Sequence, residues 1–213
     1  MGDLGSTTRT RRDFLGTSLA VPAALVLVAC DQKAVDSATA ESVDQGKTLE
    51  PTPACGGEEG ITPPLTEGPF YTPDSPERKS LLEPEIKGEK ITVSGQVLST
   101  DCQPIAGALV DFWHADGRGV YDNAGYKLRG HQFTDKNGRY TLETVVPGLY
   151  PGRTRHFHVK VQAPGKPVLT TQLFFPGEPQ NATDSIFRPE LVVAVEEAGE
   201  GKAAAFTFVL KIG

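Results

Sequence analysis

Two histidines one residue apart, His156 and His158, follow the turn-rich run Pro147-Gly148-Leu149-Tyr150-Pro151-Gly152. They are half of the four histidines in a chain of 213 residues. On a β-strand, residues i and i+2 share a face. Both imidazoles then point into one space, which suits a metal ion. The strand reads on through Phe157, Val159 and Val161, and the preceding turn leaves the Tyr150 phenol within reach of the same space. Taken alone, an H-x-H pair fits a surface strand or a satisfied core equally well. Its company weighs towards chemistry: Tyr121, Tyr150, Arg153 three residues before the first histidine, and Gln172 in the apolar run 169–175. Other residues of these types read differently. Tyr140 belongs to a strand pattern and reads as core. Tyr126, in a glycine-rich loop, reads as pocket rim or as a ligand in place of Tyr121. His114 and His131 read as structural or exposed, and Arg155, on the face opposite His156, as surface.

The elements that must position these residues are strands. Residues 91–97 alternate apolar and polar side chains, the mark of a half-buried strand. Residues 101–107 form a turn cluster with Pro and Gly, and 108–113 a second strand. The Asn137-Gly138 pair supplies residues tolerant of positive φ and marks a tight turn. Further strands are expected at 140–145, 155–162, 168–175, 191–195 and 205–212, and no segment sustains a helical period. Many short strands joined by Gly/Pro/Asn/Asp turns predict an all-β chain, a prealbumin-like β-sandwich over residues 61–213, with an irregular N-terminal tether.

The N-terminus reads as an address. Thr10-Arg11-Arg12-Asp13-Phe14-Leu15 is a twin-arginine pattern, and the apolar run 19–29 is well short of the roughly 20 residues that span a bilayer. Residues 1–29 therefore read as an export signal. They end in Leu27-Val28-Ala29-Cys30, which resembles a bacterial lipobox, so Cys30 is the expected lipidation point. The alternative is an ordinary signal cut nearby. Residues 30–60, poor in apolar side chains, read as a disordered tether to the membrane. These features predict a bacterial cell-envelope protein, membrane-tethered through lipidated Cys30. With Cys30 lipidated, Cys55 and Cys102 remain as a disulfide pair in an oxidising compartment, or as two free thiols. The formal net charge is −6. No basic run lies outside the signal, and nothing points to nucleic acid.

The ordered set Leu65-Thr66-Glu67-Gly68-Pro69-Phe70-Tyr71, Trp113, Gly117-Arg118-Gly119-Val120-Tyr121, Tyr150-Pro151, Arg153, His156-x-His158 and Gln172 resembles the intradiol ring-cleavage dioxygenases, in particular a protocatechuate 3,4-dioxygenase-like core. The resemblance spans residues 65–175. It implies that Tyr121, Tyr150, His156 and His158 bind Fe(III), and that Tyr150 is the tyrosinate displaced by substrate. It also implies catalytic roles for Arg153 and Gln172 and a substrate pocket at Pro69, Phe70, Tyr71 and Trp113. The implied substrates are a small aromatic diol, of catechol or protocatechuate type, and O2. The products are cis,cis-muconate-type diacids. Hard anionic phenolates favour trivalent iron over Zn2+ or Cu+. Two competing readings stand beside this one: a non-enzymatic β-sandwich lipoprotein that binds carbohydrate or a partner protein, and a copper- or zinc-binding sandwich using the same histidines.

Overall fold

The computed structural model describes Cys55, Gly57 and residues 59–213. The expected signal at 1–29, lipidated Cys30 and most of the tether at 30–60 lie outside the described residues. Among the described residues nine strands make two sheets: β1 (Lys90–Ser99), β2 (Leu109–Trp113), β3 (Arg129–Phe133), β4 (Arg139–Val145), β5 (His156–Gln162), β6 (Leu169–Phe174), β7 (Ala194–Ala198), β8 (Gly201–Ala205) and β9 (Phe208–Leu210). One sheet has the order β4-β1-β8-β7, with β9 also on β1; the other has the order β3-β2-β5-β6. Among the described residues the only helical elements are 3-10 turns at Pro179–Ala182 and Pro189–Leu191.

The first sheet follows its alternation. Ile91, Val93 and Val97 of β1 are buried, whereas Lys90 and Thr92 are exposed. Its antiparallel partner β4 repeats the pattern with Tyr140 and Leu142 inside. β8 and β9 run parallel to successive parts of β1. The chain crosses between them beside Gly95, where a Cβ would stand 1.7 Å from the Phe206 carbonyl oxygen. Only glycine admits that approach, and Tyr140 Oη fixes it by donating to the same oxygen at 2.8 Å. Val110, Phe112, Phe157, Val159 and Leu173 of the second sheet join these side chains in one core. Each such fully buried side chain contributes roughly 1.5–3 kcal/mol.

The second sheet is buried on both faces. Residues 62–82 cross its outer side as an extended strap. Leu65 N donates to Thr170 O (2.9 Å), Arg78 N to His131 O (2.8 Å) and Leu81 N to Glu143 O (2.8 Å). Glu77 pairs with β3 and Ser80 with β4, so the strap covers one edge strand of each sheet. The structure joins Cys55 to Cys102, with Cα atoms 5.1 Å apart.

Three strand expectations differ from the structure. β3 was not foreseen, because Arg129-Gly130-His131-Gln132-Phe133 carries a buried arginine and glutamine where an apolar alternation would be sought. The strand expected at 191–195 starts only at Ala194, since Pro189 opens a 3-10 turn that ends at Leu191. The single strand expected at 205–212 is two, broken at the crossing beside Gly95.

Candidate metal centre

β5 divides its side chains between two environments. Phe157, Val159 and Val161 enter the core. His156 and His158 point to the opposite face, with their Nε2 atoms 3.2 Å apart. One register row crosses this face: Arg129 on β3, Trp113 on β2, His158 on β5 and Gln172 on β6. Trp113 stacks flat on His158 (centroids 4.9 Å, interplanar 8°). On the other side Gly68 of the strap packs so closely that a Cβ there would lie 3.1 Å from His158 Cε1.

Two loops bring the tyrosines to this pair. A Cβ on Gly119 would lie 2.2 Å from Leu149 O, and one on Gly148 would lie 2.3 Å from Gly119 N, so the loops interleave at backbone distance. Asp116 organises both. Its carbonyl accepts from Gly119 N and Gly148 N, and its carboxylate accepts from Arg118 N and Val120 N. The glycines before Tyr121 thus have a spatial reason. Tyr121 and Tyr150 meet edge to face at 5.8 Å between centroids. Tyr121 lies 6.1 Å from His158, and Tyr150 lies 5.7 Å from His156. Phe70 of the strap stacks on Tyr121 at 4.4 Å.

The donor chemistry fits a hard trivalent cation. Burial, with Arg153 nearby, lowers His156 to about 4, and burial with His156 nearby holds His158 well below its ordinary value. Both imidazoles are therefore neutral near pH 7. His156 Nδ1–H donates to Thr154 O at 2.6 Å, which leaves the lone pair on Nε2. His158 Nδ1 is buried without a partner. Burial raises both phenols, Tyr121 with a further push from Tyr150. Two buried phenols shed their protons only where a cation takes the protons' place, and a trivalent cation on two phenolates and two neutral imidazoles leaves a single positive charge for one further anion. Among the described residues no group of three or more His, Cys, Asp or Glu could hold a metal, so a centre here depends on the tyrosines.

Arg153 caps the cluster. Its Nη1 donates to Tyr150 Oη (3.3 Å), its Nη2 to Gln172 Oε1 (2.5 Å) and its Nε to Asp184 Oδ2 (2.8 Å). Gln172 Nε2 in turn donates to Thr66 O of the strap at 2.9 Å. A cavity of about 570 Å3 reaches the cluster through Tyr150 and Arg153, beside Leu149 and Pro151. On the other side, one of about 400 Å3 reaches Tyr121, beside Arg118 and Val120.

The other candidate residues take varied places around this cluster. Trp113, expected in a substrate pocket, is 1% exposed behind His158, where it supports the imidazole. Tyr71 stands off the tyrosine pair. It tilts on Trp113, donates to Asp111 at 3.4 Å and lies under Lys160; burial and Asp111 push its phenol up to about 12. Pro69 is exposed and Phe70 half-buried. Arg155, expected at the surface, is half-buried and pairs with Glu178 at 2.7 Å. Tyr126 is exposed and donates to Pro73 O, away from the cluster. His114 is buried and satisfied by Ala115 O and Thr144 Oγ1.

Two contributors had no sequence signal. Arg129, 2% exposed, donates only to backbone carbonyls, Asp122 beside Tyr121 and Phe70 stacked on it. Asp184, about 30 positions after Arg153, accepts from both Arg153 and Thr154 N. Burial would raise its carboxyl, but the bonds from Thr154 and Arg153 hold it below its ordinary value.

Residues 66–212 match the dioxygenase family. The chain is 33% identical over 183 residues to catechol 1,2-dioxygenase 2 of Acinetobacter lwoffii, covering 73% of this chain and 66% of that protein. It is 32% identical over 146 residues to a hydroxyquinol 1,2-dioxygenase of a Rhizobium species, covering 56% and 50%. The chain thus spans between half and two-thirds of the length of these relatives. Among solved structures it resembles the dioxygenase domain of a dioxygenase carbohydrate-binding protein fusion from Streptomyces sp. SirexAA-E. That likeness has a TM-score of 0.70 and 56% identity over 72% of this chain and 99% of the other.

Proposed function

The chain belongs to the intradiol dioxygenase family, and on that premise we propose that it opens catecholic rings with O2 at an Fe(III) held by Tyr121, Tyr150, His156 and His158. The carrying observation is the meeting of two phenols and two neutral imidazoles under Arg153. Fe(III) held by these four side chains would supply Lewis acidity to an aromatic diol and a redox-active centre for its reaction with O2.

The protein's own residues supply the rest. Tyr121 and Tyr150 bring two negative charges and the histidines none, so a third anion completes neutrality. Tyr150, the tyrosine that Arg153 contacts, would serve as the base for one hydroxyl proton of the arriving diol at its Oη. Arg153 Nη1, 3.3 Å from that oxygen, would hold the Tyr150 phenol by a hydrogen bond. Its charge also favours the negative charge that builds on ring and oxygens during reaction. Gln172 holds the far arm of the guanidinium. Phe70, against Tyr121, and the Leu149 and Pro151 side of the larger cavity offer apolar walls to a ring.

The bond between the two hydroxyl-bearing carbons breaks. Both atoms of O2 enter the product as carboxyl oxygens, and no external reductant is consumed. The product is a cis,cis-muconate-type diacid. The export and lipobox patterns support action at the bacterial envelope, on a tether from Cys30. Oxygen uptake across catechol, hydroxyquinol and protocatechuate, with 18O2 label read in the product, tests the reading. One O2 consumed per ring and label in both carboxyls are expected. Absence of uptake by iron-loaded protein on every diol contradicts it.

A further inference from the structure

We infer that Asp184 is the positioning residue that sets the working orientation of Arg153; the inference rests on the role given to Arg153 above. Arg153 lies in the loop before β5, where no sheet ladder fixes its backbone. The segment around the 3-10 turn Pro179–Ala182 fixes it instead. Glu178 precedes that turn, Asn181 lies in it and Asp184 follows it. These three side chains take Arg155, Thr154 and Arg153 in reverse order. The contacts are Arg155 Nε to Glu178 Oε1 (2.7 Å), Thr154 Oγ1 to Asn181 Oδ1 (2.6 Å) and Arg153 Nε to Asp184 Oδ2 (2.8 Å).

Asp184 is the strongest of the three. Its side chain is 2% exposed. Oδ2 also accepts from Thr154 N (3.0 Å), and Oδ1 accepts from Ile186 N (3.1 Å), so the carboxylate has one orientation. A guanidinium is a rigid planar fork. Fixing Nε in a buried charge-assisted bond sets its plane and aims Nη1 at Tyr150 and Nη2 at Gln172. The same carboxylate steadies the Thr154 peptide, whose carbonyl orients His156. An asparagine that keeps its oxygen toward Thr154 N and Arg153 Nε loses the charge and turns its NH2 group against the Ile186 N–H, which pushes the side chain off this position; the opposite amide orientation sets the NH2 group against the Arg153 Nε–H and Thr154 N.

The test compares iron-loaded wild-type protein with Asp184→Asn, Arg153→Ala and the double variant. Asp184→Asn is expected to lower kcat per bound iron by about 10–100-fold, the order for a residue acting through its neighbour, with KM little changed. In the Arg153→Ala background it should lower kcat no further. A fold defect alone would lower iron content, not kcat per iron. In metal-free 15N-labelled protein, the Arg153 Nε–H should be protected from solvent exchange and lose that protection in Asp184→Asn. If the asparagine variant does not fold, Asp184→Ser repeats the comparison. Wild-type kcat per iron in Asp184→Asn, an undiminished loss in the Arg153→Ala background, or unchanged Nε–H protection would each overturn the inference. Wild-type turnover by Arg153→Ala would instead remove the role given to Arg153, while the exchange measurement still reports whether Asp184 holds it.

Discussion

The two sheets are built from the same kinds of strand but live in different surroundings. β1 and β4 bury one face and present Thr92, Thr141 and Glu143 to solvent. β2 and β5 are buried on both faces, with Phe112, Phe157 and Val159 inside and Trp113, His156 and His158 beneath the strap. A half-buried sheet gives its outer face to water and keeps only a packing task. A sheet covered twice has a second interior, and polar side chains placed there must find partners or a ligand. The strap that covers it is also what places Phe70 and Gly68 against Tyr121 and His158.

The sharpest way to break this contrast is in the second interior. His158→Ala should lose bound metal and all turnover, read by metal analysis and oxygen uptake, while its far-ultraviolet spectrum stays that of a β-protein. Arg153→Ala comes next. It should keep its metal, and kcat should fall by about 10²–10³-fold, the order for one preorganised donor. If Arg153→Ala loses metal instead, Arg153 is a scaffold of the site and not a participant in the reaction.

In the first sheet the expected losses are of another kind. Leu142→Ala should cost about 2–5 kcal/mol of stability by leaving a cavity, with kcat per metal unchanged. Thr141→Ala, one residue away and exposed, should fall within about 0.5 kcal/mol of wild type. Denaturant midpoints and turnover on the same samples check both.

A smaller effect isolates the buried histidine outside the tyrosine–histidine cluster. Burial lowers His114 from its ordinary 6.5 to about 4. Between those values the unfolded chain binds a proton that the folded one refuses, so stability falls as pH drops below about 6.5. From pH 6.5 to 5.5 the His114 share is about 1 kcal/mol. His114→Gln can keep the bonds to Ala115 O and Thr144 Oγ1, and its stability should decline less over that unit. Parallel declines in the two proteins would place the proton uptake elsewhere.

Legibility followed the same division. The alternation of 91–97 and 140–145 reads directly, because one face is wet. The same-face rule also placed His156 and His158 together, because it is a property of any strand. β3 escaped, because a strand with Arg129 and Gln132 buried does not look like one until the strap and Trp113 are seen against it. The break between β8 and β9 depends on the distant Gly95. Tyr121 and Tyr150 were identified through a resemblance, and their meeting depends on the loop interleaving at Gly119 and Gly148. Asp184 and Arg129 act through contacts across 31 and 59 positions, which no local pattern records.

The central claim is that tyrosines and histidines together make one iron site. Titrating metal-free protein with Fe(III) and recording the visible spectrum tests it most directly. The account predicts one iron per chain and a red to burgundy tyrosinate charge-transfer band. That band should be altered by Tyr121→Phe and by Tyr150→Phe, and absent in His158→Ala. A colourless protein that binds zinc stoichiometrically, or an iron band indifferent to both tyrosine substitutions, would contradict it.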